Sequence, residues 1–280
     1  MKTRRDFLKT TATVAVGSMI IPSFYSFKAT KTPYGLILYT VRNEMKKNPV
    51  KTLNTVAATG YKVLEAAGYK DGLFYGMKPV QFKKLVDSLG MKLISSHTHI
   101  TAKNAQKVAD DAAAAGLKYV VNPMMKGGSI DNFKKGAHNY NRFGEIFKKN
   151  GVRFAYHNHA YEFKKIDGII PYDILLQQTD PQLVAMEMDL YWITYGGHNP
   201  WEYFAKYPGR FELWHVKDMK DKVKREMTTV GNGIIDFKKI FSLAKQAGMK
   251  YYFVEQDTAL ENTPLENIKI SLDYIKKMNF

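Results

Sequence analysis

The sequence predicts a single (β/α)8 barrel, and three observations support this. From residue 34 onward, short apolar runs alternate with amphipathic, helix-like stretches. Eight such runs occur, and each precedes a helix. No G-x-G-x-x-G follows the first run, which disfavours an open doubly wound sheet. The eight predicted strands are YGLILYT, YKVLEAAG, KLISSHT, KYVVNP, VRFAYHNH, LVAMEMDL, FELWHVKD and KYYFVEQD.

Glycines mark where several helices end. Each lies just before the next apolar run, where a left-handed residue terminates a helix at little steric cost. No shift in composition divides the chain after the first thirty residues, so residues 31–280 are predicted to form one barrel domain. These glycines are Gly60, Gly90, Gly116, Gly151 and Gly248.

Residues 1–30 have a different composition and are predicted to be an export signal. TRRDFLKT places Arg4 and Arg5 ahead of a short apolar stretch, TATVAVGSMIIPSF. This layout is typical of a secretion signal, and the paired arginines resemble the twin-arginine export motif of bacteria. We therefore expect a periplasmic or cell-envelope protein without a stable membrane span after processing. An uncleaved amphipathic anchor is the alternative.

Composition narrows the classes of site. The chain contains no cysteine, so a metal would need nitrogen and oxygen ligands. Hydrophobic residues make up 45% of the chain, enough for a substantial core. The net charge is +16, but the lysines are spread over many predicted helix faces. Dispersed lysines are typical of a solvated surface, so no nucleic-acid partner is predicted.

Polar residues interrupt the predicted strands mainly at their carboxyl ends. In a parallel barrel these ends converge on one face, where active sites lie. Five of the seven histidines are among them. The residues at these ends are Arg42, Glu65, His97, His99, His157, His159, Glu162, Glu187, Asp189, His215, Lys217, Asp218, Glu255 and Asp257.

Carboxylates and imidazoles that converge in this way are costly to bury unless a cation neutralises them. We therefore predict one divalent metal ion, with Mn²⁺ favoured and Mg²⁺, Co²⁺ or Zn²⁺ as alternatives. Taken singly, each residue could equally form an ion pair or a strand-end hydrogen bond. The predicted ligands, one from each of strands five to eight, are Glu162, Asp189, His215 and Glu255.

Six motifs resemble the xylose-isomerase-like barrel superfamily, in its sugar phosphate isomerase/epimerase branch. They are LYTVRNEM, GYKVLEAAGY, YHNHAYEF, MEMDLYW, WHVKDMK and YFVEQD, in that order. The resemblance implies one divalent metal on Glu162, Asp189, His215 and Glu255, with His157 or His159 as alternatives to Glu162. It also implies enolisation of a keto-sugar through an enediolate, which leads to isomerisation or epimerisation. Elimination of the aglycone from a 3-keto-glycoside by a lyase is the alternative outcome.

The remaining polar residues also have predicted roles. Glu162, Glu255, His159 and Lys217 are the predicted catalytic residues, because a base must move a proton and a cation helps an oxyanion. A structural pairing of Lys217 with Glu187 or Asp189 remains the alternative. The predicted substrate-binding residues are Glu65, His97, His99, His157 and Trp192.

Two other functions remain open. Apurinic-site endonuclease-like phosphodiesterases resemble the same barrel, but they have a histidine at the position of Trp192. A non-catalytic sugar-binding barrel would not need the four predicted metal ligands. The predicted partner is a small carbohydrate, either a free or a glycosidic keto-sugar, and the sequence leaves a homo-oligomer open.

Overall fold

The computed structural model describes residues 32–258 and 262–278, and the predicted export signal lies outside them. Within the described residues, eight parallel strands form a nearly closed barrel. We number these barrel strands in chain order. They are β1 (Gly35–Ile37), β2 (Val63–Ala66), β3 (Lys92–Ser96), β4 (Tyr119–Asn122), β5 (Arg153–His157), β6 (Val184–Asp189), β7 (Leu213–Val216) and β8 (Tyr251–Val254).

The sheet runs in the order β3-β2-β1-β8-β7-β6-β5-β4, and all pairs are parallel. The two outermost strands, β3 and β4, meet through a bridge between His97 and Val121. The Thr98 N–H also donates to the Val121 carbonyl at 2.9 Å. The predicted (β/α)8 architecture is therefore confirmed.

Helices follow the strands and cover the outside of the barrel. The helix that precedes β2 ends at Gly60 and the one that precedes β8 ends at Gly248, with φ values of 115° and 84°. Both glycines adopt the left-handed conformation that the sequence predicts. The helices are Arg42–Lys47, Pro49–Thr59, Pro79–Ser88, Ala105–Ala114, Ile130–Lys149, Pro171–Gln178, Leu190–Tyr195, Pro200–Lys206, Phe237–Ser242, Ala244–Ala247 and Pro264–Lys277, with a short 3-10 turn at Tyr161–Phe163.

The core has two parts. The larger part lies between sheet and helices, where Trp214 stacks on Phe204 with ring centroids 5.0 Å apart. The smaller part fills the barrel and includes Ile37, Val121 and Phe253. Side chains alternate along each strand between the inside and the outside of the barrel. On the inward face, apolar side chains fill the barrel near the amino ends of the strands, and polar side chains lie nearer the carboxyl ends.

Strand β6 illustrates this alternation. Met186 and Met188 belong to the outer core, and Ala185 belongs to the interior cluster. Glu187 and Asp189, on the same face as Ala185, are therefore directed into the barrel near its carboxyl end, and both are fully buried. Within the part of the chain that the structure covers, no helix has the length and apolar character of a membrane span.

Candidate metal centre

Four side chains meet at the barrel mouth because of the strand register. His157 is the last residue of β5, and Asp189 the last of β6. Asp189 pairs in register with His215 of β7, which in turn pairs with Phe253 of β8. Glu255 lies two residues beyond Phe253 and therefore on the same face.

The upper cluster consists of Asp189, His215, Lys217, Glu255 and Asp257. Ligand atoms of Asp189, His215 and Glu255 all lie within 4.8 Å of one another. The Lys217 ammonium lies 2.8 Å from Glu255 Oε2, 3.0 Å from Asp257 Oδ2 and 3.2 Å from Asp189 Oδ2. Despite that proximity, Asp189 Oδ2 accepts no hydrogen bond from the described residues. Three carboxylates thus share one lysine.

The lower cluster lies deeper and consists of Glu65, His97 and Glu187, with His157 and His215 above them. Glu187 Oε2 is 2.6 Å from His97 Nε2 and 3.2 Å from both His157 Nδ1 and His215 Nε2. Glu65 Oε2 lies 2.6 Å from His215 Nε2 and 3.4 Å from His97 Nε2. His97, His157, Glu187 and His215 also have the spacing of a potential metal site.

Charge distinguishes the two clusters. In the lower one, burial disfavours the charged rings, but the neighbouring carboxylates outweigh it and raise the pKa of both His97 and His215. Burial raises the pKa of Glu65, whereas the imidazoles lower that of Glu187 despite its burial. Imidazolium and carboxylate therefore neutralise each other there without a metal.

The upper cluster has an excess of negative charge. Burial raises the pKa of Asp189 to about 6, against the lowering effect of Lys217. Lys217 and His215 outweigh burial at Glu255 and hold its pKa well below its usual range. The three carboxylates likewise outweigh burial at Lys217 and raise its pKa, so it is a fixed cation rather than a base.

His157 is oriented as a ligand should be. Burial lowers its pKa well below the ordinary value, so the ring is neutral. With Nδ1–H assigned to donate to Glu187, the lone pair on Nε2 is free, and Nε2 lies 3.9 Å from Asp189 Oδ2. His215 also places one ring nitrogen, Nε2, on a carboxylate, that of Glu65, but its ring is protonated and Nδ1 lies 2.8 Å from Glu255, so a cation bound at Nδ1 would replace a proton there.

These residues fit a divalent cation. Metal-binding histidines usually present their second ring nitrogen to a carboxylate, as His157 and His215 do here. Imidazole and carboxylate donors with no thiolate suit Mn²⁺, Co²⁺ or Zn²⁺. Asp189 Oδ2 in the upper cluster and Glu187 Oε1 in the lower one both lack hydrogen-bond partners among the described residues. Carboxylates outnumber cations in the upper cluster, so we place the candidate site there and treat the lower cluster as its support.

Of the four predicted ligands, the structure brings Asp189, His215 and Glu255 together. Glu162 instead accepts hydrogen bonds from the Tyr156 hydroxyl at 2.6 Å and from the His159 amide at 3.0 Å. It belongs to neither group of potential ligands found among the described residues. Burial raises the pKa of Glu162 to about 7.

A cavity of about 290 Å³ opens over the upper cluster. His159 lines it, and burial lowers the pKa of this ring to about 4. In the described structure, His159 Nδ1 and Trp192 Nε1 both lack hydrogen-bond partners. The two rings are 5.5 Å apart. This cavity is lined by Tyr39, Ala67, Pro123, Met124, Asp257 and the predicted residues His97, His157, His159, Lys217 and Glu255.

Three predicted substrate-binding residues do not line this cavity. Trp192 lies beside His159 but is not part of the lining, and Glu65 and His99 have other positions. Glu65 is fully buried beneath the cavity, where Ser95 and His215 occupy its carboxylate oxygens. His99 is exposed and lines a separate cavity, which shares Met124 with the first. His99 lies three residues beyond the end of β3, where the alternation of the strand no longer determines the direction of its side chain.

Glu187 and Asp257 were not predicted as site residues, although each contacts the site. The available signal was their spacing, because each stands two residues from a predicted ligand and so shares its face. Tyr39 also lines the cavity, and no pattern in the sequence distinguishes it from the other tyrosines.

Comparisons with known proteins agree with this fold. Residues 53–278 match the family model described as a xylose isomerase-like TIM barrel. A solved sugar phosphate isomerase/epimerase from Parabacteroides distasonis is 30% identical, with a TM-score of 0.78 over 89% of this chain and 95% of that one. A structure of the IolI protein with a bound zinc atom shares the fold at 15% identity and a TM-score of 0.69.

A curated relative supports the same grouping over a shorter span. Inosose dehydratase from Clostridium perfringens is 30% identical over 179 residues, and the match covers 57% of each chain. The chain therefore spans little more than half the length of this relative. Because the family match extends over most of the barrel, the protein belongs to the xylose isomerase-like TIM barrel family.

Proposed function

We propose that the protein is a divalent-metal-dependent sugar isomerase or epimerase that enolises a keto-sugar. Its metal would be held by Asp189, His215, Glu255 and, in place of Glu162, His157. The observation that carries this proposal is the shortage of positive charge at the barrel mouth. Lys217 faces three carboxylates there, and the second cation, His215, is shared with Glu65 and Glu187 below. Asp189 Oδ2 accepts no hydrogen bond within the described residues.

A cation held by these residues would act as a Lewis acid on a sugar carbonyl and so make the adjacent C–H group more acidic. His159 would move the proton, because its ring is neutral and lines the cavity. Lys217 remains charged and would stabilise negative charge on a sugar oxygen.

The substrate is proposed to be an unphosphorylated sugar. Lys217 is the lysine that lines the cavity, and three carboxylates already surround it. A phosphate dianion would add charge of the same sign to this cluster. An exported protein would meet such a sugar in the periplasm or cell envelope, and this location remains a proposal.

Elimination is the second candidate reaction. The similarity to inosose dehydratases favours it, because those relatives are named for the removal of water. The same deprotonation beside a carbonyl leads to elimination when a β-substituent departs. The two candidates therefore share the first step and differ in the fate of the enediolate.

Deuterium exchange tests this first step. The Mn²⁺-loaded protein is incubated in D₂O with a panel of keto-sugars and 3-keto-glycosides, and NMR follows deuterium uptake and products. We expect exchange beside the carbonyl that disappears when a chelator removes the metal and returns when Mn²⁺ is restored. Retained hydrogen in every substrate, with metal bound, would refute the proposal.

The product distinguishes the candidates. A rearranged or inverted sugar identifies an isomerase or epimerase, and an unsaturated product identifies a lyase. Glu145→Gln removes a carboxylate from an exposed helical position and serves as the matched control, because it should leave exchange unchanged.

A further inference from the structure

Asn158 stands in the chain between His157 and His159, both of which line the cavity over the upper cluster. The proposed function gives Asn158 no role. Its side chain is nevertheless fully buried, although asparagine is a polar residue that is mostly exposed in proteins. A buried amide needs hydrogen-bond partners, and the partners of Asn158 therefore indicate what it does.

The Asn158 side chain contacts both backbone groups of Asp189. The Asp189 N–H donates to Asn158 Oδ1 at 3.1 Å. Asn158 Nδ2 donates to the Asp189 carbonyl at 3.5 Å, a longer and weaker contact. Asp189 is also fully buried. The side-chain amide of Asn158 thus supplies the acceptor and the donor that a neighbouring strand would otherwise provide.

This contact continues the connection between β5 and β6 beyond their paired residues. The register of the two strands ends at His157 and Glu187, and Asp189 lies two residues further along β6. A buried backbone N–H group without a partner is destabilising, so its partner has a strong influence on where the backbone lies. Asn158 is that partner for Asp189 and therefore fixes the end of β6 relative to β5.

The Asp189 carboxylate is held at a second point. Asp189 caps the helix Leu190–Tyr195, and its Oδ1 accepts the Trp192 N–H at 2.8 Å. Because the backbone and Oδ1 are both held, the direction of Oδ2 is also determined. Oδ2 lies 3.2 Å from Lys217 Nζ and 3.9 Å from His157 Nε2, and it accepts no hydrogen bond within the described residues. The free oxygen is therefore fixed inside the upper cluster.

We propose that Asn158 is a positioning residue for the candidate metal centre, which presents Asp189 Oδ2 to the cation by holding the Asp189 backbone. This role rests on the proposed function for the presence of a metal. Groups that orient metal ligands without touching the metal typically contribute about 10–100-fold to metal affinity. Residues 157–159 then supply one ligand, the support of a second ligand and the proposed base.

Metal affinity tests this role without requiring turnover. Calorimetry measures the Kd for Mn²⁺ of the wild type, of Asn158→Ala and of Asn158→Leu, which fills the space of the amide but forms no hydrogen bond. Circular dichroism identifies the variants that fold. Each folded variant should show a Kd about 10–100-fold higher than that of the wild type. An unchanged Kd in either folded variant would overturn the proposal.

Asn141 provides a matched control, because its side chain makes the same pair of contacts with another backbone segment. Its Nδ2 donates to the Gln178 carbonyl at 2.9 Å, and its Oδ1 accepts the Asp180 N–H at 2.8 Å. Asn141→Ala should lower the melting temperature of the metal-free protein, as Asn158→Ala does, but it should leave the Kd for Mn²⁺ unchanged. Equal losses of affinity in the two variants would show that overall stability controls metal binding and would contradict the proposal.

A double-mutant cycle separates the positioning of Asp189 from a general structural role. Asp189→Asn removes the ligand charge, and asparagine can still cap the helix that follows. In this background Asn158→Ala should change the Kd for Mn²⁺ by less than about twofold, because the ligand that it positions is no longer present. A loss of affinity as large as in the wild-type background would overturn the proposal.

The outcomes distinguish this role from the proposed reaction. Mn²⁺ binding that depends on Asn158 as described, without deuterium exchange in any keto-sugar, would reject the proposed function and support the positioning role. Deuterium exchange by the wild type, together with an unchanged Kd for Mn²⁺ in folded Asn158→Ala, would support the proposed function and reject the positioning role.

Discussion

The two ends of the barrel both bury carboxylates, but they neutralise them differently. At the amino ends of the strands, Glu212 pairs with Arg153 and Lys250, each at 2.8 Å, and accepts the Tyr119 hydroxyl at 2.7 Å. One carboxylate there therefore forms ion pairs with two cations and accepts a hydrogen bond from one hydroxyl group. At the mouth, Asp189, Glu255 and Asp257 share Lys217.

This difference separates stability from function. The amino-end network joins β4, β5, β7 and β8 and leaves Glu212 with both oxygens satisfied. In barrels of this type the amino-end face serves stability, and the carboxyl-end face carries the site. An excess of buried carboxylates stabilises nothing by itself, which is why the mouth is the place to expect a cation.

Glu255→Gln is expected to cause the largest loss of deuterium exchange. The substitution removes a proposed ligand charge while it keeps the side-chain shape, so deuterium exchange should fall at least ~10³-fold, beyond the ~10²–10³ typical of one stabilising group. Circular dichroism should show an intact fold. Undiminished exchange in this variant would mean that the mouth, like the amino end, is structural.

Lys217→Met should have the next largest effect. The upper cluster loses its internal cation, and the oxyanion loses a stabilising charge, so exchange at saturating Mn²⁺ should fall about 10²-fold. Metal content, measured by elemental analysis, should not fall, because the carboxylates lose a competing cation. Lys149→Met, at an exposed helical position, is the control and should behave like the wild type.

Glu162→Gln sharpens the distinction between a ligand and a buried acid. The pKa of Glu162 is about 7 in the folded chain and 4.5 ordinarily. The folded state therefore holds a proton between these values that the unfolded state releases, so this residue makes the wild type less stable as pH rises from about 4.5 to 7. Glutamine does not titrate. Relative to wild type, the variant should gain about 3 kcal/mol between pH 4 and pH 8, measured by urea unfolding with a chelator present.

The same variant should retain its metal, because the structure gives Glu162 partners other than the upper cluster. Loss of bound Mn²⁺ from Glu162→Gln would restore Glu162 as the fourth ligand and displace His157.

The smallest expected effect is on Glu212→Gln at the opposite end of the barrel. The Arg153 side chain is 26% exposed and that of Lys250 is 55% exposed, so solvent screens both pairs. The free energy of unfolding, measured in urea, should fall by about 1–2 kcal/mol. Deuterium exchange should match that of the wild type. A large loss of exchange would contradict the assignment of the amino end to stability and of the mouth to function.

Much of the site was predictable because strand ends are local features. Asp189, His215 and Glu255 each follow an apolar run that alternation and length mark as a strand. Parallel strands bring their carboxyl ends together whatever the side chains are. Glu162 was less predictable because it lies five residues beyond the end of β5, in a 3-10 turn whose direction depends on contacts with Tyr156 and the rest of the fold.

The sequence by itself determined the barrel, the residues at each strand end and the absence of thiolate ligands. Only the tertiary structure decided which groups neutralise one another: Lys217 with three carboxylates, and His97 and His215 with Glu65 and Glu187. The physical reason is the separation along the chain between the residues that each property depends on. Strand periodicity depends on adjacent residues, whereas charge balance depends on atoms within a few ångströms that come from strands far apart in the chain.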